Sequence, residues 1–310
     1  MLFTSIRFDE DSIYKSSPSS LALVWNQLRP KQWSKNLLLF AALIFSINKV
    51  DFMQIAYSII GFLIFCVISS TVYIINDFVD RDADRAHPVK RHRPMASGRL
   101  NPVVALSVGT VLFLLSLLIS FLLNPLFMVI AITYFVINVS YSLYLKHIVI
   151  LDLMLIASGF VLRAIAGGVI ISVSLTPWFL LCTLLLSLFL AIGKRRHELI
   201  LLQDGVSAHR KVLESYSVSL LDQFSNIVTA ATVLSYSLFT FTSSHTVYLM
   251  LTIPFVIYGM FRYLYLIQIR NLGGSPEHIL LEDKPILITV VMYSLCVVII
   301  LLLKDSGYIQ

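Results

Sequence analysis

The stretch FMQIAYSIIGFLIFCVISSTVYIINDFVDRDADRAHPVKRHRPMASGRL, residues 52–100, sets two kinds of sequence end to end. Its first part, 52–75, is apolar for longer than the roughly 20 residues a helix needs to cross a hydrocarbon core about 30 Å thick. Its second part, Asn76–Leu100, crowds aspartates and basic residues together. A helix that leaves lipid directly into such a cluster predicts a membrane protein with a charged site at one membrane face.

The rest of the chain repeats the apolar part. Of 310 residues, 58% are hydrophobic and only 13% charged, whereas a soluble domain carries about a quarter charged residues. The apolar runs predict an all-α, polytopic bundle of about nine transmembrane helices. They fall near 36–48, 52–75, 102–123, 126–145, 150–172, 177–193, 219–243, 246–268 and 285–303. A closed barrel would instead show short alternating strands. The whole chain, 1–310, reads as one transmembrane domain whose residues 1–34 form a cytoplasmic N-terminal and interfacial segment. No apolar core followed by a small-residue cleavage site marks the start as a cleaved signal peptide. The basic, amphipathic LRPKQWSKN (28–36), with Trp25 and Trp33, suits the membrane interface.

Basic residues set the orientation. One side collects Arg7, Lys15, Arg29, Lys31, Lys35, Arg81, Arg85, Lys90, Arg91, Arg93, Arg99, Lys146, Lys194, Arg195, Arg196, Arg210, Lys211, Arg270 and Lys284. The other keeps Lys49 and Lys304. The positive-inside rule makes the first side cytoplasmic, with the N-terminus in. The net charge of +6 is then topological and gives no reason to expect nucleic acid as a partner. Cys66, Cys182 and Cys296 sit singly in apolar runs, without metal-type spacing, and read as small hydrophobes.

If the second helix continues past 75, Asp77, Asp80 and Asp84 share one face, with Asn76 a turn before Asp80 and Asp82 turned away. Three like charges at that spacing repel unless something compensates them. Hard carboxylate oxygens suit Mg²⁺, which is usually held by one or two carboxylates plus substrate phosphates. A magnesium-bound diphosphate is the expected guest. His87, Lys90, Arg91 and Arg93 follow at once and are placed to contact phosphate oxygens.

Two further clusters fall on the same side. Tyr141, Tyr144, Lys146 and Asp152 bracket the fourth connection, and Asp152 opens the fifth helix where its charge suits the helix N-terminus. Arg163 lies eleven residues on, nearly in line with Asp152. An arginine inside an apolar helix is costly and usually faces an anion or a cavity. KRRHE closes the sixth helix, with Lys194 and Glu198 one turn apart and Arg195, Arg196 and His197 adding positive charge. His147, His209 and His245 read as isolated interface residues. Glu282, Asp283 and Lys284 could reach the same face. No phosphate-binding glycine loop, dinucleotide fingerprint, Ser-His-Asp order or zinc spacing is present.

NDFVDRDAD resembles the first aspartate-rich motif, NDxxDxxxD, of the UbiA superfamily of intramembrane prenyltransferases. That resemblance implies a bundle with a lipid-open central cavity and metal and diphosphate binding by Asn76, Asp77, Asp80 and Asp84, with the three aspartates as the catalytic set. The second DxxxD motif of that superfamily is replaced here by KRRHE. LRPKQWSKN, HPVKRHRPMASG, YSLYLK with its downstream aspartate, GFVLRAIAGG and KRRHE together resemble the decaprenyl-phosphate phosphoribosyltransferase branch.

The branch implies Mg²⁺-dependent transfer of a 5-phosphoribosyl group from phosphoribosyl diphosphate to a polyprenyl phosphate, for cell-envelope glycoconjugates. It also implies substrate contacts by Lys35, Asn76, His87, Lys90, Arg91, Arg93, Tyr141, Lys146, Asp152, Arg163, Lys194, Arg195 and Glu198. Which of Lys146, Arg163 and Lys194 meets the lipid phosphate is left open, as is self-association. The alternatives are a conventional prenyltransferase acting on an aromatic acceptor, and a transporter, although transporters gather charge near the midplane.

Overall fold

A computed structural model describes residues 19–46, 51–87, 90–203, 211–242, 246–274, 276, 279 and 282–308. Arg7, Lys15, Lys49, His209, Arg210, His245 and the end of the first expected span at 47–48 lie outside them.

Among the described residues the chain is helical throughout, with no strand. An interfacial helix, α1 (Ser20–Gln27), leads through a 3-10 segment (Pro30–Phe40) into the short α2 (Ala41–Phe45). Then follow α3 (Phe52–Val79), α4 (Arg81–Ala86), α5 (Pro102–Leu123), α6 (Pro125–Leu143), α7 (Leu151–Ile170) and α8 (Pro177–Gln203). The series closes with α9 (Val218–Thr242), α10 (Ile253–Gln268), which a 3-10 turn at Val247–Thr252 precedes, and α11 (Lys284–Asp305).

Among the described residues eight helices are long and apolar enough to cross a membrane, so this is a multi-pass membrane protein. The first expected crossing is built differently, as 3-10 followed by α-helix. A 3-10 helix rises about 2.0 Å per residue against 1.5 Å for an α-helix, so Pro30–Phe45 still extends roughly 30 Å. Hairpins are set by local chemistry. Asn124 separates α5 from α6, and its side chain accepts from the Leu126 and Phe127 amides at 2.8 and 3.2 Å. Pro125 then occupies a first-turn position where no amide is needed.

The core nearest the site brings together Leu39, Phe65, Ile68, Phe127, Tyr134 and Ala166, so the 3-10 segment is wedged among α3, α6 and α7. Gly167 permits that wedge, because a Cβ there would meet the Leu39 carbonyl oxygen at 2.1 Å. Gly167→Ala is therefore expected to push the first segment off α7, lowering stability by about 1–3 kcal/mol. Gly259→Ala, whose Cβ would meet only Thr289 Cγ2 at 3.8 Å, serves as the control. Thermal melts in detergent should separate the two, with Gly259→Ala at or above wild type because alanine is the better helix former.

Candidate active site

The acidic stretch does not run on as one helix. α3 ends at Val79, Asp80 takes a turn conformation (φ −88°, ψ 6°), and α4 starts afresh at Arg81. The break redistributes the aspartates. Asp77 and Asp84 are buried, Asp80 is half-buried, and Asp82 is exposed beside Arg81 and Arg85. Asp82 thus points away as expected, but the convergence of three carboxylates on one spot does not occur.

Each acid takes a cation instead. Arg93 Nη1 bridges Asp77 Oδ1 at 2.9 Å and Asp84 Oδ2 at 2.5 Å. Arg29 also pairs with Asp77, and Gln27 Nε2 donates to Asp77 Oδ2 at 2.7 Å. Lys146 Nζ reaches Asp80 Oδ1 at 2.7 Å. The physical reason is the one that made the cluster conspicuous: adjacent carboxylates repel, and three basic side chains brought in from 29, 93 and 146 relieve it. Among the described residues no group of three His, Cys, Asp or Glu could by itself hold a metal ion. The donor chemistry still fits a hard divalent cation, because Asp77 and Asp84 aim oxygens at one shared cation position and Mg²⁺ needs only one or two carboxylates beside phosphate oxygens.

Of the basic run, Arg93 alone joins these carboxylates by an ion pair among the described residues, while Lys90 and Arg91 are exposed. His87 Nδ1 accepts from the Lys90 amide at 3.3 Å, which places the ring proton on Nε2. Burial, followed by the Lys90 and Arg93 cations, holds the imidazole below its ordinary range against the pull of Asp84. His87 is therefore a neutral N–H donor near pH 7, not the added cation its position suggests. Asn76 is half-buried one residue before Asp77, and Lys35 one residue before Asn36.

A second network joins the C-terminal parts of α6 and α8 to the N-terminal end of α7. Arg195 Nε donates to Asp152 Oδ2 at 2.7 Å, Nη1 to Glu198 Oε2 at 2.6 Å and Nη2 to Tyr141 at 3.0 Å. Tyr216, outside the spans, donates to Asp152 Oδ1 at 2.7 Å and accepts from the Ile150 amide at 2.7 Å. Burial, reinforced by the bond to Asp152, raises the Tyr216 phenol, so it stays a neutral donor. Asp152, Arg195 and Tyr141 are thus spent on one another. KRRHE lies inside α8 and does not end it, since the Arg195–Glu198 pair at i, i+3 supports another turn.

Arg196 and His197 turn away from this network. Arg196 binds Asp222 at 2.7 Å and the Ile267 carbonyl at 2.8 Å, and His197 Nδ1 donates to the Asn271 carbonyl at 2.7 Å. Lys194 is exposed at the membrane face.

Arg163 lies about 16 Å deeper along α7 than Asp152. Its guanidinium donates to Asn36 Oδ1 at 2.7 Å, the Gly159 carbonyl at 2.9 Å and the Tyr134 hydroxyl at 2.6 Å, and lies 4.7 Å from the Tyr134 ring centre. No carboxylate among the described residues pairs with it. On another face of α7, Ile137, Ser158, Leu162, Leu180 and Leu184 line an apolar groove of about 400 Å³ between α6, α7 and α8.

Sequence reasoning passed over Gln27, Asn36 and Tyr216 as site residues and took Arg29 for a topological charge. LRPKQWSKN, which contains Arg29 and Asn36, carried a signal for two of them. Nothing in the local pattern marks Gln27 or Tyr216.

The UbiA prenyltransferase family model matches residues 36–277. The chain is 37% identical over 273 residues to the decaprenyl-phosphate phosphoribosyltransferase of Mycolicibacterium smegmatis, covering 83% of this chain and 85% of that one. It is 36% identical over 301 residues to the enzyme of the same name from Corynebacterium glutamicum, covering 93% and 90%. The fold is shared with a UbiA homologue from Archaeoglobus fulgidus bound to GPP and Mg²⁺, at a TM-score of 0.69 and 20% identity over 90% of this chain and 99% of that one. With the cation-paired aspartates at the end of α3 and the matched region spanning most of the helices, the chain belongs to the UbiA prenyltransferase family.

Proposed function

We propose that this UbiA-family transferase moves a 5-phosphoribosyl group from phosphoribosyl diphosphate to a polyprenyl phosphate, releasing diphosphate. The site lies at the cytoplasmic face of the cell's inner membrane, and Mg²⁺ is the cofactor. The observation that carries this reading is the Arg195 network. Where the family's second acidic motif would stand, KRRHE supplies Arg195, which is 2% exposed and pairs with Glu198 and with Asp152 of α7, whereas the Arg93 that bridges Asp77 and Asp84 is 26% exposed and free to yield to an incoming cation. A second acidic site for metal-bound diphosphate is therefore closed. One acidic cluster, Asp77, Asp80 and Asp84, is left for a sugar diphosphate. Near-full-length likeness to enzymes named for that transfer supports the same reading.

When bound, Mg²⁺ supplies charge neutralisation for the departing diphosphate. Asp77 and Asp84 hold it, with Asn76 and Asp80 alongside. Arg29, Arg93 and Lys146, which face these acids, are within a side-chain movement of the diphosphate oxygens and stabilise the charge that develops there. His87 donates one neutral N–H, and Lys90 and Arg91 stand at the rim to draw the anionic donor in. As the C1–O bond to diphosphate breaks, the ribosyl ring becomes oxocarbenium-like. A lipid phosphate oxygen, already ionised, then forms the new bond to C1 without a strong general base. Half-buried Lys35, exposed Lys194 and Arg163 at depth offer that lipid its cations, and the apolar groove between α6, α7 and α8 receives isoprene units.

The test is a transfer assay on purified protein in detergent with labelled phosphoribosyl diphosphate, a polyprenyl phosphate and Mg²⁺, with and without EDTA. Label entering the lipid phase only without EDTA is the expected result. Absence of transfer, together with activity on a polyprenyl diphosphate and an aromatic acceptor, would move the function to the conventional prenyltransferase class.

A further inference from the structure

Gln27 ends α1, is 1% exposed, and gives its amide N–H to Asp77 Oδ2 at 2.7 Å. Its carbonyl oxygen, Oε1, is buried and accepts no hydrogen bond from any of the described residues. Reversing the amide would set that oxygen against the carboxylate, acceptor on acceptor, so the orientation is fixed by Asp77. A buried acceptor without a donor is unfavourable and invites one.

The chain around it is held in place from several sides. Arg29, two residues on, has a left-handed backbone (φ 53°, ψ 60°), which a residue with a Cβ rarely adopts and which concentrates at functional sites. Its guanidinium joins Gln27 on Asp77 and lies 5.1 Å from the Tyr73 ring centre. The Leu28 carbonyl between them accepts from Ser70 Oγ at 2.7 Å. Leu23 anchors α1 among Ile74, Met95 and Leu100. The junction thus sets a cation and an amide N–H, on a strained backbone, against the carboxylate assigned above to the diphosphate end of the donor, and leaves the orphan acceptor on that same amide.

We propose that Gln27 Oε1 accepts a hydrogen bond from the ribose 2-hydroxyl, making Gln27 a specificity-determining residue for a sugar diphosphate over a prenyl diphosphate. The inference rests on the proposed function. The 2-hydroxyl is vicinal to the C1 diphosphate and on the same ring face in the α-configured donor, so a group beside Asp77 is where it arrives. A prenyl diphosphate offers only C–H bonds at the equivalent place and would leave Oε1 unpaired. Sites built to bond a hydroxyl discriminate strongly against analogues that lack it.

The experiment pairs two donors with two proteins. Phosphoribosyl diphosphate and its 2-deoxy analogue are compared on full-length wild type and on Gln27→Leu, reading kcat/KM for transfer and, by calorimetry with Mg²⁺, the dissociation constant of each donor. Wild type is expected to lose roughly 10- to 100-fold on the deoxy donor. Gln27→Leu should lose a similar factor on the natural donor and nothing more when the hydroxyl is removed. Gln27→Met, closer in shape, replaces Gln27→Leu if the latter does not fold.

Equal use of both donors by wild type overturns the proposal. So do losses that multiply independently, as they would if Gln27 only steadied Asp77. Absence of transfer from wild type with the natural donor is a different result: it refutes the proposed function itself, and this inference with it.

Discussion

Asp80→Asn is expected to remove transfer activity, by a factor on the order of 10²–10³ or more, while leaving the melting temperature of the detergent-solubilised protein close to wild type. Asp77→Asn should lose both. The two aspartates sit three residues apart in one motif, yet their surroundings differ. Asp80 is 31% exposed and pairs, among the described residues, with Lys146, so neutralising it gives up one partly solvated pair, worth about 0–1 kcal/mol. Asp77 is 2% exposed and holds Arg29, Arg93 and Gln27 together. Removing its charge strands the Arg29 guanidinium and leaves Arg93 with Asp84 alone, a loss of about 3–5 kcal/mol for a buried pair. Rates and melts on the same preparations separate the effects. Full activity in Asp80→Asn would sink the assignment of Asp80 to the metal and diphosphate, whatever happens at Asp77.

The apolar runs were legible because a lipid core imposes one length and one polarity on everything that crosses it. Ends such as Asn124–Pro125 and Asp283–Pro285 were legible because capping side chains and proline at first-turn positions are local chemistry. The Pro30–Phe45 segment was not read correctly in form. Nothing local announces a 3-10 rise, which follows from how Leu39 and Asn36 are received by Gly167 and Arg163 across the bundle.

The site divides along the same line. That the acids on α3 and α4 need compensation follows from charge repulsion inside one segment, and Asp82 lies apart from the others, exposed beside Arg81 and Arg85. How they are compensated depends on partners 48, 16 and 66 positions away in sequence, which no reading of NDFVDRDAD alone can locate. KRRHE illustrates the limit most clearly. Its five residues look like one basic patch, but Arg195 faces α6 and α7 while Arg196 faces α9 and the segment after α10. Adjacent residues on a helix point about 100° apart, and only the packing decides what each direction meets.

Arg195→Ala is expected to destabilise the protein by about 3–5 kcal/mol, the largest effect of any single substitution outside the aspartates. Asp152 is fully buried, and its charge is balanced by this one guanidinium among the described residues. Deleting the guanidinium also removes it from Glu198 and Tyr141, so α6, α7 and α8 lose this common tie. Arg195→Lys should recover only part, because one ammonium on a flexible stem cannot serve three acceptors arranged for a planar fork. Replacing the pair by apolar and neutral groups, as in Arg195→Met with Asp152→Asn, should return most of the stability, since an unpaired buried charge is worse than none. Melting temperatures of wild type, Arg195→Met, Asp152→Asn and the double variant make a cycle whose coupling should reach at least about 2 kcal/mol for residues in direct contact. If Arg195→Ala melted like wild type and lost only turnover, the guanidinium would be a substrate ligand, the second acidic position would be open, and the argument for a single diphosphate site would fail with it.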